Sequence, residues 1–365
     1  MEGLGVIQKG FWRGKRVFIT GHTGFKGAWL SLWLEQLGAV VTGYSVDIPT
    51  EPSLFSALTP WDRLVDRRGD VRDLKMLSQV MKEADPEVVF HLAAQSLVRP
   101  SYADPVSTYA TNVMGTVHLL EAARSCGSLK AIVNVTSDKC YDNRETATPY
   151  REQDPFGGKD PYSSSKGCAE IVTAAYRSSF FSDSQVGLAS ARAGNVIGGG
   201  DWSVDRLVPD CVRAFIRHES VSIRNPLSTR PWQHVLDALR GYLILAQCLH
   251  HDPTRFSEGF NFGPEATDTQ PVSKVVSTLC ALWGEGARCV EQPVDDPKLR
   301  EARALSLDSS HAHTSLGWKQ LLTLPEALAW TAAWYKAYSS GAVATMRQTS
   351  IDQLTQMMAK ESAIR

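Results

Sequence analysis

The sequence predicts an α/β protein: a doubly wound parallel sheet followed by a smaller C-terminal α/β part. Short β-branched runs alternate with stretches of helical length from Arg16 to beyond Val186. The first run, Arg16-Val17-Phe18-Ile19-Thr20, breaks into the glycine loop Gly21-His22-Thr23-Gly24-Phe25-Lys26-Gly27, which opens an apolar stretch from Phe25 to Leu37. The fourth run, within Pro86 to Ala94, is largely apolar, as strands covered on both faces are.

Composition narrows the function. The 365 residues are 43% hydrophobic and 21% charged, an ordinary globular balance. A net charge of −1 gives no basic field for nucleic acid or anionic lipid, so a small-molecule ligand is expected. Seven cysteines without a Cys-x-x-Cys pair argue against a disulfide framework and a thiolate metal site. No apolar run is long enough to span a bilayer and Met1 to Arg16 has no signal-type core, so a cytoplasmic protein is expected. His250-His251 and His311-Ala312-His313 lack ligand spacing, and no metal is expected.

Glycines at spacing three and three let the loop turn tightly and approach a pyrophosphate, whose charge rests on the helix N-terminus. The bland reading is a turn needed only for close helix packing. Val40 to Tyr44 is the second strand, and Asp47 follows Gly27 by twenty residues, where a carboxylate accepts from an adenosine ribose and repels a 2′-phosphate; NAD is expected over NADP. Asp47 is otherwise a loop residue beyond the strand. Gly69 to Asp73 ends a third strand, with Asp70 against adenine or Asp73 as an N-cap for the helix carrying Leu74, Leu77, Val80 and Met81. A helix is expected over Asp104 to Arg124, a fifth strand over Ala131 to Thr136 and a sixth over Val186 to Ala191.

The chemistry gathers at two places. Ser137-Asp138-Lys139 follows the fifth strand, and Tyr162 and Lys166 lie one helical turn apart. A lysine ammonium beside a phenol favours the phenolate, so Tyr162 is expected to act as a base. Three polar residues after a strand otherwise make a solvated loop, and Tyr-x-x-x-Lys alone is a common surface pattern. Convergence at one sheet edge would supply an acid, a base and a carbonyl-polarising donor. Downstream, Asn195 and the glycines through Gly200, with Arg206, Arg224 and Arg230, suit a diphosphate; the arginines otherwise form surface ion pairs.

With a Gly-x-x-Gly-x-x-Gly loop, a serine after the fifth strand and Tyr-x-x-x-Lys, residues 14 to 335 resemble the extended short-chain dehydrogenase/reductase family. Within it, Thr136-Ser137-Asp138-Lys139-Cys140-Tyr141 is similar to the nucleotide-sugar 4,6-dehydratases. Most carry Asp-Glu where this chain has Asp138-Lys139, and the Asp-Lys form resembles the branch acting on CDP-glucose. Trp12 to Lys15, Phe25 to Trp29 and Ser228 to His234 look like that branch too.

The resemblance implies a Rossmann domain over residues 1–190, a sugar-nucleotide domain over 191–340 and a tail over 341–365. It implies NAD held by Gly21, Thr23, Gly24, Phe25, Lys26, Gly27, Asp47, Asp70, Val71, Leu92, Ala93, Ala94, Tyr162 and Lys166. It also implies CDP-glucose bound by Asn195, Arg206, Arg224 and Arg230, catalysis by Ser137, Asp138, Lys139, Tyr162 and Lys166, and a homodimer paired through the helices at 104–124 and 161–180. The alternatives are a sugar-nucleotide 4-epimerase or decarboxylase, which needs no acid–base pair at 138 and 139, and a non-catalytic NAD-binding scaffold.

Overall fold

A computed structural model describes residues 5–146, 148–223, 225–291 and 305–363. In chain order its strands are β1 (Arg16–Thr20), β2 (Val40–Ser45), β3 (Leu64–Arg68), β4 (Val88–His91), β5 (Ala131–Val135), β6 (Gly187–Ala193), β7 (Asn195–Ile197), β8 (Ser220–Ile223), β9 (Thr229–His234), β10 (Gly259–Phe262), β11 (Thr269–Pro271) and β12 (Arg288–Glu291). Seven of them form one parallel sheet in the order β10-β6-β5-β4-β1-β2-β3. The chain reverses its direction of travel across the sheet between β1 and β4, which opens a crevice at their carboxyl ends. β4 and β5 are buried along their whole length, as their largely apolar runs predict.

The helix after the glycine loop, Phe25–Gln36, is buried from Gly27 to Glu35 and apolar around its circumference, which suits an element covered on all sides. Across the same sheet face, the helix Val235–His251 is buried from Val235 to Leu249 and packs against β5 and β6. Asp73 is an N-cap: its carboxylate accepts from Met76 N at 3.0 Å and starts the helix Leu74–Ala84. The helix expected over Asp104 to Arg124 is interrupted. Pro105–Tyr109 gives way to a π turn at Ala110–Met114 before helix resumes over Gly115–Ala123. On that turn Asn112 accepts from Gln95 N (2.8 Å) and donates to Gln95 O (2.9 Å) and Ser165 Oγ (2.8 Å), contacts that apolar periodicity does not encode.

Residue 190 falls inside β6, and the chain re-enters the large sheet from its C-terminal half as β10. From the segments on either side of β10, β7 and β9 pair in parallel with β11 antiparallel to β9, and β8 pairs with β12, building a smaller lobe over the crevice. The tail forms the helix Met346–Ser362, with Met346, Leu354 and Met357 fully buried. It is anchored at both ends. Arg347 pairs with Glu35, and Glu361 accepts from Ile7 N (3.1 Å) and from Arg240 Nη1 (3.0 Å).

Glu361→Ala leaves the buried Arg240 guanidinium without its carboxylate. It is expected to cost about 3–5 kcal/mol, read as a lower urea midpoint with an unchanged m-value.

Candidate active site

The carboxyl ends of β1 to β6 and the smaller lobe enclose one cavity of about 780 Å³. Its first wall is the glycine loop. Gly21 has φ +75°, and a Cβ there would lie 2.7 Å from Ala93 N; one on Gly27 would lie 2.1 Å from Gly21 O. Gly24 caps the helix without a side chain, so the first-turn amides face the cavity uncapped. Leu92, Ala93 and Ala94 line it beside the glycine loop, and Leu92 N and Ala93 N each donate to Thr20 Oγ1 at 3.2 Å. Asp47, two residues past β2, is exposed along the cavity, and its carbonyl accepts from Thr23 Oγ1 at 2.6 Å. Asp70 and Val71 also line it, but the Asp70 carboxylate is engaged by Arg72 through its backbone and guanidinium at 2.5–3.0 Å. A loop that only glycine allows, a bare helix N-terminus and a carboxylate after β2 fit a dinucleotide such as NAD.

The five expected catalytic groups converge. After β5 the chain makes a 3₁₀ turn, Asp138–Cys140, capped by the Ser137 hydroxyl, which accepts from Lys139 N at 3.2 Å and donates to Asp138 Oδ1 at 3.0 Å. The helix Pro161–Tyr176, capped by Asp160 on Ser163 N (2.9 Å), presents Tyr162 and Lys166 to the same place. The Ser137 side chain lies close enough to favour the ionised Tyr162 phenol, and Lys139 Nζ lies 5.9 Å from the centre of the Tyr162 ring. Lys166 Nζ donates to Val135 O at 3.5 Å.

Burial sets the protonation of this cluster. It pushes the Asp138 carboxyl up, against the pull of Lys139, Ser137, Arg230 and Lys26, and Asp138 Oδ2 is buried with no partner. That unpartnered oxygen is where an acidic proton would sit. A Cβ on Gly194 would lie 3.0 Å from it, so a glycine there leaves the room the carboxyl needs. Burial also pushes Lys166 down to about 8, against Glu170, and Lys26 down to about 7, where Arg206 and Lys166 add like charge.

The Tyr162 phenol departs from the sequence expectation: burial pushes it up to about 12, while Ser137 and Arg206 pull the other way. Lys166 is expected from sequence to make it basic, but in the fold desolvation outweighs the charges around the ring. The arginines also sit differently from a simple diphosphate clamp. Arg206 donates to the buried Asp201 at 2.9 Å and to Ser96 Oγ at 3.3 Å, with its charge beside Tyr162 and Lys26. Arg230 on β9 is buried with its charge felt at Asp138, while Asn195 on β7 lines the cavity with both. Arg224 lies outside the described residues.

Sequence reasoning passed over Asp201, Tyr242 and His91. Tyr242 OH accepts from Lys26 Nζ at 3.4 Å, and His91, bonded to Thr20 Oγ1 at 2.7 Å, is pushed by burial down to about 3. Glu170 stands one turn beyond Lys166 on the same helix, a spacing visible in the sequence itself.

The sequence model of one family, described as GDP-mannose 4,6 dehydratase, matches residues 18–331. The chain belongs to that family, a group of nucleotide-sugar-modifying enzymes within the extended short-chain dehydrogenase/reductases. It is 53% identical over 341 residues to a CDP-glucose 4,6-dehydratase from Salmonella typhimurium, covering 92% of this chain and 94% of the relative. A dTDP-glucose 4,6-dehydratase from Streptomyces griseus is 29% identical, over 89% of this chain and 95% of its own length. Among solved structures, MoeE5 in complex with UDP-glucose and NAD is 27% identical at a TM-score of 0.74, covering 89% of this chain and 99% of that one. An epimerase from Methanothermobacter thermautotrophicus superposes with a TM-score of 0.81 at 22% identity, covering 92% and 96%, and shares the fold.

A buried amine held below its unfolded value destabilises the fold as it takes up a proton. The contribution of Lys26 is full above about pH 10.4 and is lost as pH falls toward about 7. Lys26→Met in the cofactor-stripped protein is therefore expected to raise the urea midpoint at pH 6 and to lose that advantage by pH 10.

Proposed function

We propose that this protein converts CDP-D-glucose to CDP-4-keto-6-deoxy-D-glucose and water, a step toward the deoxysugars of bacterial surface polysaccharide such as O-antigen. The observation that carries the reading is the Ser137-Asp138-Lys139 turn beside Tyr162, which adds a buried acid and an amine to the groups that a simple oxidation needs. The identity with the Salmonella enzyme supports cytidine as the base.

The residues at the glycine loop, Asp47, Asp70, Val71 and Leu92 to Ala94 would hold NAD, with Tyr162 and Lys166 at its reacting end. NAD bound there supplies a reversible two-electron oxidation, taken up and given back within one turnover. Tyr162 takes the proton of the sugar 4-hydroxyl as C4 is oxidised, with Ser137 beside the same phenol and the Arg206 charge favouring the phenolate. The 4-ketone makes the C5 hydrogen acidic. Lys139, facing the cavity over the Tyr162 ring, removes that proton. Asp138, kept protonated by burial, gives its proton to the departing 6-hydroxyl, which leaves as water.

We also infer a homodimer. Val106, Tyr109 and Met114 on the segment Pro105–Met114, Tyr102 on the short helix before it, and Ile171 and Phe180 on the neighbouring helical segment from Pro161 to Phe181 are exposed apolar side chains, Val106 by 78%. Two adjacent helices bearing such a stripe pair with a second copy through an isologous bundle. The seven free thiols support a reducing, cytoplasmic setting, and no helix of the described residues is long and apolar enough to cross a membrane.

Three measurements test this reading. Among CDP-, UDP-, GDP- and dTDP-glucose, the CDP sugar is expected to yield the 4-keto-6-deoxy product with the highest kcat/KM; formation of the C4 epimer instead would make the protein an epimerase. Lys139→Met is expected to slow exchange of the C5 hydrogen with deuterated water by a factor on the order of 10². Exchange at the wild-type rate would place the base elsewhere. Light scattering at micromolar concentration is expected to give twice the chain mass, and Val106→Glu to give the monomer.

A further inference from the structure

Beneath the reacting groups lies a buried ion pair that the mechanism above does not use. Glu170 and Arg192 have side chains only 2% and 4% exposed. Both carboxylate oxygens are saturated: Oε1 accepts from Thr136 Oγ1 and from Arg192 Nε (2.9 Å), and Oε2 from Ser190 Oγ (2.6 Å) and Arg192 Nη2 (2.8 Å). The third guanidinium nitrogen, Nη1, donates to Tyr141 OH at 2.7 Å and to Glu152 O at 3.2 Å, and Tyr141 OH donates on to Asn261 Oδ1 at 2.7 Å. Glycine at 259 makes room for the fork, since a Cβ there would lie 2.3 Å from Arg192 Nη2.

Two features give this pair meaning beyond stability. A buried ion pair is a poor stabiliser compared with apolar residues of the same volume, so its value lies in what it fixes. What it fixes is Thr136 and Tyr141, the residues that bracket Ser137, Asp138, Lys139 and Cys140. We propose that Glu170 and Arg192 are positioning residues: together they clamp both ends of the catalytic turn to the helix that carries Tyr162 and Lys166, and they set a negative charge one turn from the Lys166 amine.

The charge has a definite partner. The titratable groups facing Lys166 are Glu170 and Tyr162 on its own helix, Cys140 on the turn, His91 on β4 and Lys26 beside the glycine loop. Burial holds the Cys140 thiol up and His91 down, so both stay uncharged near neutrality, and Lys26 contributes only like charge. Glu170, itself pushed up by burial but held low by Arg192 and by the Ser190 and Thr136 hydroxyls, remains an anion. Removing that anion makes the Lys166 ammonium easier to deprotonate, so it is lost at a lower pH.

The proposal rests on the dehydratase reading, and wild-type protein assayed alongside separates the two: no turnover of CDP-glucose by the wild type overturns the reading itself. Glu170→Gln keeps the side-chain shape and removes the charge. It is expected to lower kcat tenfold or more with KM within about twofold, and to move the alkaline limb of the kcat profile down by about one pH unit. A residue that only supports the fold would lower the melting temperature and leave the limb in place; an unmoved limb in folded Glu170→Gln overturns the charge role. Thr136→Val cuts one bond of the clamp without stranding a charge, and is expected to lower kcat by about threefold or more with the limb unmoved. Wild-type kcat in Thr136→Val overturns the clamp, and that variant decides the positioning role even if Glu170→Gln does not fold.

Discussion

Seven parallel strands must all end at the same edge of their sheet, and nearly everything else about this protein follows from that constraint. Parallel pairing forces each connection back across a face, so both faces are covered and the strands are dry. The loops after β1, β2, β4, β5 and β6 then have no choice but to meet. The glycine loop, Asp47, Leu92 to Ala94, the Ser137 turn and Asn195 come from positions spread over 175 residues, yet they line a single cavity.

Water has been largely excluded from that meeting place, and this exclusion gives the groups their chemistry. In bulk solvent an aspartic acid and two lysines would each carry full charge. Under desolvation the carboxyl of Asp138 is pushed toward its neutral form, and so are the amines of Lys26 and Lys166. A site that must both donate and accept protons near neutrality gains from such compression, because less free energy separates the donor from the acceptor. The same desolvation works against Tyr162, whose basicity depends on the donors and cations around its oxygen rather than on Lys166 alone.

The parts legible in the sequence were those governed by near neighbours along the chain. Strand and helix positions followed from runs and periodicity. β1 begins and ends where its β-branched run does, and Tyr162 and Lys166 share a helix face because helical spacing requires it. Interactions between distant segments were hidden. The π turn at Ala110–Met114 depends on Asn112 finding Gln95 and Ser165. Arg206 reads as a phosphate ligand in isolation, and only the folded chain brings it to Ser96. The Glu170–Arg192 contact joins two motifs that were each in view, but no rule of spacing says that a helix and a strand 22 residues apart will exchange a carboxylate and a guanidinium.

The late strand β10 has a consequence for how the chain comes to be folded. A ribosome delivers β1 through β6 long before residue 259, so for that interval β6 has an open outer edge of unpaired amides and carbonyls. The long apolar helix Val235–His251, which must shield β5 and β6, also arrives late. An N-terminal fragment ending near residue 190 is thus a sheet without its flank, prone to pairing with a neighbouring chain, and the polypeptide becomes safe from that fate only as its final third is synthesised.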